Sequence, residues 1–158
     1  MTKRQPAPDA PLLLVVDDDQ FTRSLMRDLC ESCGYRTHAV EDGAQALERL
    51  EAGGVDLVLL DLMLPRMDGF TVLQELRRRP ASRELPVIFV TAMEDMDGRS
   101  RGMELGADDY VTKPFRLVEL RTRIQNALQL REDRRRQSAE KALARLREAD
   151  PLAGGHLP

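Results

Sequence analysis

The chain has 158 residues, 42% of them hydrophobic and 32% charged, with a formal net charge of −3. That is enough for one domain with a real core and an appendage, and no apolar run approaches the roughly 20 residues that a membrane helix needs. Residues 1–115 carry 14 Lys and Arg against 21 Asp and Glu, while 116–158 carry 10 against 6, so the body is acidic and no direct DNA binding is expected of it.

Residues 1–10 lack an apolar segment of signal-peptide type and read as a disordered lead-in, which points to a cytoplasmic protein with no membrane contact. Leu12–Val16 is an apolar run of strand type that ends in Asp17-Asp18-Asp19. A helix is expected from about Gln20, burying Phe21, Leu25, Leu29 and Cys33, and Gly34 stops it. Cys30 and Cys33 form a lone Cys-x-x-Cys with no second pair to complete a zinc site, so they read as ordinary thiols. His38 and His156 are isolated and carry no expected role. Tyr35–Val40 is a short strand, Glu41-Asp42-Gly43 a turn, and 44–52 a helix burying Ala46, Leu47 and Leu50.

The run from Val55 to Leu60 ends in Asp61, followed by Leu62-Met63-Leu64-Pro65. It reads as a strand buried on both faces, as in a parallel sheet. Met67-Asp68-Gly69 is a turn signal, and the next helix runs to about Arg79 with Val72, Leu73 and Leu76 inward. A fourth strand from Leu85 to Val90 ends in Thr91-Ala92. Asp95–Leu105 is a weak helix, since Gly98 and Gly102 each cost about 1 kcal/mol relative to alanine, and it should be the loosest element. Asp108–Thr112 is a fifth strand, followed by Lys113-Pro114 and a long helix from about Arg116.

Five strand–helix repeats imply a flavodoxin-like (βα)5 doubly wound parallel sheet, in strand order 2-1-3-4-5, with an extended C-terminal helix. The domain spans 11–130, a helical extension 131–150, and a flexible tail 151–158. Leu117, Leu120, Ile124, Ala127 and Leu128 form a packing stripe. After the run Arg131–Arg136, apolar spacing resumes at Ala139, Ala142, Leu143, Leu146 and Ala149 in a shifted register. This is one protruding helix, or two pieces hinged near 131–136. Its second stripe calls for a partner, such as a second copy in a weak coiled coil. The arginine run, interleaved with Glu132 and Asp133 and lacking aromatics, reads as a solvated helix face.

Chemistry gathers at the carboxyl ends of strands in open α/β sheets. Here those ends carry Asp17 and Asp18, Asp61, Thr91 and Lys113. Each alone is unremarkable, because acids are common turn residues; together they make a carboxylate cluster with one hydroxyl and one ammonium. Close carboxylates repel unless a cation neutralises them. Few, solvent-open oxygen ligands suit Mg²⁺, with Mn²⁺ an acceptable substitute. A lysine and a hydroxyl beside a metal receive a small dianion such as a phosphoryl group, and Asp61 can serve as its nucleophile.

The motifs Val-Val-Asp-Asp-Asp at 15–19, Leu-Leu-Asp-Leu-Met-Leu-Pro-Arg-Met-Asp-Gly at 59–69, Val-Thr-Ala at 90–92 and Gly-Ala-Asp-Asp-Tyr-Val-Thr-Lys-Pro-Phe at 106–115 closely resemble the receiver domain of two-component response regulators. The resemblance covers about residues 11–128. It implies that Asp61 accepts a phosphoryl group from a phosphohistidine on a sensor histidine kinase or phosphotransfer protein. It implies that Asp18, Asp61 and the backbone carbonyl of Met63 bind the metal, with Asp17 acting largely through water. Lys113 would pair with the phosphoryl oxygens, Thr91 would hydrogen-bond them on activation, and Tyr110 would then turn inward. The Lys113–Pro114 peptide is cis in this family. Such a chain is not an enzyme with a separate substrate, but a switch that catalyses its own phosphorylation and dephosphorylation. The surface from 95 to 128 would carry the readout to a partner, a dimer or an output domain. Arg99, Arg101, Glu104, Asp108, Asp109, Glu119 and Arg123 resemble the ion-pairing set through which winged-helix regulators dimerise.

Two other readings bear on the same residues. Leu146 to Gly155 loosely resembles the linker entry to diguanylate cyclase domains, which would make the chain the receiver of a larger dimeric regulator. Asp17-x-Asp19-x-Phe21 comes near the signature of haloacid-dehalogenase-type phosphatases, but Phe21 is the wrong residue and Asp61 would have no role. A flavin-binding flavodoxin is excluded, because Asp17, Asp18 and Asp19 would repel the phosphate that its first loop must cradle.

Overall fold

The computed structural model describes residues 5–92 and 96–149. Five strands and five helices alternate: β1 Leu12–Val16, α1 Gln20–Ser32, β2 Arg36–Val40, α2 Gly43–Glu51, β3 Leu57–Leu60, α3 Gly69–Arg78, β4 Val87–Thr91, α4 Met96–Glu104, β5 Asp109–Thr112 and α5 Leu117–Ala149. The strands form one parallel sheet in the order β2-β1-β3-β4-β5, the doubly wound topology expected.

Alternation along the strands divides the core. Leu14, Val16, Val58, Leu60, Val87 and Phe89 pack with α2 and α3 on one face. Leu13, Val15, Leu57, Leu59, Ile88 and Val90 pack with Met26 and Cys30 of α1 and with Leu120, Ile124 and Ala127 of α5 on the other. The central strands are buried throughout because helices cover both sides.

The two Asp-Gly signals read as turns are helix starts. The Asp42 carboxylate accepts the Gln45 N–H and caps α2, and the Asp68 carboxylate accepts the Thr71 N–H and caps α3. Gly34, at φ 92°, ends α1 with its N–H donated to Glu31 O.

The inward face of α1 differs from the expectation. Phe21 is 76% exposed and Leu25 39%, while Met26 and Cys30 are fully buried. The helix carries two adjacent apolar stripes about 100° apart. The one facing the sheet runs through Met26 and Cys30, with Leu29 packed at its edge.

The long helix is continuous from 117 to 149, without a hinge at 131–136. Its arginine run is not a plain solvated face. Arg131 donates to the Val55 carbonyl at 2.9 Å and lies 3.4 Å from Asp56, and Arg134 lies 3.5 Å from Asp108. From residue 134 to residue 149 every side chain is exposed, including Leu143 and Leu146. The stretch read as resembling a cyclase linker from Asp150 on, the tail 151–158 and residues 1–4 of the lead-in lie outside the described residues.

In α4, Gly102 has a packing role. A Cβ there would stand 2.9 Å from Phe89 Cε2, so the missing side chain lets the helix lie directly on the buried ring.

Candidate functional site

The ladder between strands continues one residue past their ends and fixes where the polar groups emerge. The Asp17 N–H donates to Val40 O, the Asp61 N–H to Val16 O, and the Lys113 N–H to Thr91 O. Asp17, Asp61, Thr91 and Lys113 therefore rise together at the carboxyl edge of the sheet, as the strand-end reading expects.

One oxygen from each of Asp17, Asp18 and Asp61 lies within 4.8 Å of the others. Asp17 is fully buried, Asp61 is 5% exposed, and Asp18 opens to solvent. The Lys113 ammonium donates to Asp17 Oδ2 at 2.6 Å and to Asp61 Oδ2 at 2.9 Å. The remaining oxygens of the buried pair accept backbone N–H groups: Asp17 Oδ1 from Asp19 and Asp61 Oδ1 from Met63. Thr91 is fully buried at the end of β4, and the Lys113–Pro114 peptide is cis.

Three carboxylates face one ammonium, so the pocket keeps an excess of negative charge. Burial raises the pKa of Asp17 against the lowering effect of its hydrogen bond from Lys113. Burial also works against the Lys113 ammonium, but its hydrogen bonds to Asp17 and Asp61 outweigh that and hold its pKa above the ordinary value. An all-oxygen donor set with one ligand open to solvent fits a hard divalent cation that keeps several waters. Asp17, Asp18 and Asp61 are the residues that can hold it.

Asp19, which the phosphatase alternative requires at the site, is used elsewhere. Its carboxylate caps α1, accepting from the Thr22 N–H and hydroxyl.

Sequence reasoning expected Tyr110 to turn inward on activation. The ring is already inside, 6% exposed, edge-on to Phe89 at 6.4 Å, and Phe89 is edge-on to Phe70 at 5.8 Å. Tyr110 pairs with Phe89 across the β4–β5 register, so the rings extend one aromatic row on the same face. The Arg99 guanidinium lies 5.8 Å from the Tyr110 centroid and that of Arg101 lies 4.4 Å from Phe70. Much of the ion-pairing set expected to reach a second copy thus has partners within the chain. Asp109 pairs with Arg123, and Asp108 with Arg77 and Arg134.

Gly69, the last residue of the 59–69 motif, is a site residue to which the sequence reading gave no role beyond a turn. A Cβ there would collide with the Asp61 carbonyl oxygen and stand 2.8 Å from Leu62 Cα. The start of α3 is therefore seated against the backbone that carries Asp61, and the Gly69 N–H donates to Leu62 O. The available signal was an Asp-Gly pair opening a helix eight residues after the strand-end aspartate.

Residues 13–125 match the family described as the response regulator receiver domain. The chain is 42% identical over 134 residues to the transcriptional activator protein IrlR of Burkholderia pseudomallei, covering 85% of this chain and 55% of that protein. It is 46% identical over 117 residues to the transcriptional regulatory protein CiaR of Streptococcus pneumoniae, covering 74% and 50%. The chain thus spans about half the length of these curated relatives. Among solved structures, a response regulator from Chloroflexus aurantiacus superposes with a TM-score of 0.73 at 32% identity, over 76% of this chain and 98% of that one. The receiver domain of the sensor histidine kinase PA1611 from Pseudomonas aeruginosa, with a magnesium ion coordinated in its active site cleft, gives 0.71 at 31% identity, over 75% and 98%.

Proposed function

The chain belongs to the response regulator receiver family of two-component signalling, and on that premise we propose that Asp61 is its phosphoacceptor. The observation that carries this reading is the Lys113 ammonium bridging the buried carboxylates of Asp17 and Asp61, within a cluster of three acids. A buried aspartate held between an ammonium and a backbone N–H is a positioned oxygen nucleophile.

The donor is a phosphohistidine of a sensor kinase or phosphotransfer protein. An Asp61 carboxylate oxygen attacks phosphorus; the new O–P bond forms as the P–N bond to the imidazole breaks, and that electron pair stays on the imidazole nitrogen. Asp18, Asp61 and the Met63 carbonyl, with Asp17 acting through water, would hold Mg²⁺ or Mn²⁺, which would supply charge neutralisation for the transferring group. Lys113 moves its hydrogen bond from Asp61 to a phosphoryl oxygen, and the Thr91 hydroxyl donates to another. Attack of water on phosphorus later breaks the O–P bond of the acyl phosphate, releasing inorganic phosphate and regenerating the Asp61 carboxylate. The chain thereby catalyses its own phosphorylation and dephosphorylation and turns over no separate substrate.

The added charge, about −1.5 to −2, draws Thr91 toward Asp61 and shifts the surface formed by residues 95–128, which carries the signal in the cytoplasm to a partner, a dimer or an output domain. The exposed Leu143 and Leu146 on the far end of α5 favour a second setting for the same switch, as the receiver of a longer dimeric regulator.

Mg²⁺ with beryllofluoride, a phosphoryl mimic, tests the assignment. Thermal stabilisation of the wild type but not of Asp61→Ala is expected. Equal responses from the two proteins would remove Asp61 from the role.

A further inference from the structure

A second charged hollow lies at the opposite end of the sheet. Val55 and Asp56 precede β3 and Leu85 precedes β4, so this is the amino edge, about 20 Å along the sheet from Asp61 at ~3.3 Å per residue. The hollow encloses about 410 Å³, within the roughly 300–1,000 Å³ range of small-ligand pockets. The loop between α3 and β4 supplies one wall, with Arg83. The middle of α5 supplies the other, with Arg131, Arg134 and Arg135, and Glu84 is the one acid in the lining.

The charges of the arginine run are sorted by the fold. Arg131, Arg134 and Arg135 line this groove, Arg131 and Arg135 also bordering a neighbouring hollow, while the acids of the run, Glu132 and Asp133, are not in its lining. Glu132 lines a different hollow beside Tyr35, and Asp133 accepts from Gln129 and lies 3.9 Å from Arg136. Neither acid of the run therefore enters the lining that Arg131, Arg134 and Arg135 share. Two of the arginines are anchored: Arg131 by the Val55 carbonyl and Asp56, and Arg134 by Asp108, which Arg77 also shares. Arg135 reaches Asp56 only at 3.9 Å, and Arg83 has no ion-pair partner among the described residues. Counting these neighbours, the guanidinium groups of Arg77, Arg83, Arg131, Arg134 and Arg135 meet the carboxylates of Asp56, Glu84 and Asp108. The groove stays positive in a protein whose net charge is −3.

We propose that this groove binds a small oligophosphate, gripped between Arg83 and Arg135 with Arg131 and Arg134 as pre-positioned donors. Planar guanidinium forks match phosphate oxygens two at a time, and anchored side chains lose little further freedom on binding. The lining carries no aromatic ring, so a nucleobase would have no stacking partner and the phosphates alone are read. A bound oligophosphate would tie the α3–β4 loop to the point where α5 leaves the body. Inorganic pyrophosphate and the phosphates of a nucleotide share the required chemistry.

Isothermal titration of the full chain tests the site, without divalent cations and at about 0.15 M salt, where exposed long-range attraction is largely screened. Pyrophosphate is the probe, and the proteins are the wild type, the Arg83→Ala/Arg135→Ala double variant, and Lys113→Ala. Saturable one-to-one binding is expected in the wild type, at least tenfold weaker in the double variant and unchanged in Lys113→Ala. Adenosine diphosphate should bind within a few-fold of pyrophosphate. No saturable binding would overturn the proposal. So would loss of binding in Lys113→Ala, which moves the anion to the Asp61 pocket, or a nucleotide preference above tenfold. Binding of duplex DNA that pyrophosphate does not displace, with no pyrophosphate heat, would likewise overturn it in favour of a nucleic-acid surface.

Discussion

Lys113 reaches Asp61 across 52 residues of sequence, its ammonium 2.9 Å from Oδ2, and the same nitrogen holds Asp17 at 2.6 Å. A single cation therefore stands between two buried carboxylates. Lys113→Ala removes it and leaves both without their partner. Stability measured by urea in the absence of metal should fall by about 2 kcal/mol, below the usual cost of breaking a buried pair because Asp18 keeps one side of the pocket wet. Mg²⁺ should recover more stability in the variant than in the wild type, since it takes over the neutralisation. Unchanged stability, or smaller metal recovery in the variant, would show that Lys113 does not carry this charge balance.

Gly69 lies against the backbone of Asp61 and Leu62. Gly69→Ala must push α3 or the phosphoacceptor strand end aside. A loss of about 2–3 kcal/mol is expected, as for overpacking of a well-filled site, together with a weaker response to beryllofluoride. Stabilisation through better helix propensity alone would contradict the close approach.

The sheet and its polar edge were legible in the sequence because continuous apolar runs such as 57–60 mark strands buried on both faces, and the residue after each run must emerge at one edge. The same strand-end reading placed Thr91 and Lys113 there as well, and the structure brings them to that edge. Three features were not legible. Period alone cannot choose between the two apolar stripes of α1, and the sheet selects Met26 and Cys30 over Phe21 and Leu25. The position of the Tyr110 ring depends on its cross-strand neighbour Phe89, which is far away in sequence. The arginines 131 and 134 looked solvated because their acceptors, Val55, Asp56 and Asp108, belong to loops at the distant end of the sheet.

Arg77 is a hub under those loops. Its guanidinium donates to the carbonyls of Arg83, Leu85 and Gly106 and to the Asp108 carboxylate, which also accepts the Val87 N–H. Arg77→Met keeps the aliphatic bulk but strands these acceptors. A cost of about 3 kcal/mol is expected in chemical denaturation, and the amides of Arg83, Glu84 and Leu85 should exchange faster with solvent. A loss under about 0.5 kcal/mol would mean that water replaces the guanidinium without penalty.

Asp42 caps α2 and pairs with Arg66 at 2.8 Å. The Gln45 N–H, then Arg66, hold its pKa below the ordinary 3.8. The folded state thus favours the charged form, so the contribution is complete above about pH 3.8 and is lost as the pH falls through the lower folded value. Asn caps a helix nearly as well as Asp, so Asp42→Asn isolates the charge. The variant should be less stable by up to about 1 kcal/mol at neutral pH, with the gap closing as the solution is acidified below pH 3.8. A gap that widens in acid would reverse the assignment.

The most direct test of the whole account is chemical identification of the phosphorylated residue. The wild type is incubated with Mg²⁺ and a phosphorylated histidine kinase or a small phosphoramidate, trapped with borohydride, and sequenced by mass spectrometry. The account predicts reduction of a single aspartyl phosphate to homoserine at position 61, dependent on Mg²⁺ and abolished in Asp61→Asn. Homoserine at Asp17 or Asp18 in the wild type, or an unmodified Asp61 in a protein that has taken up phosphate, would contradict it.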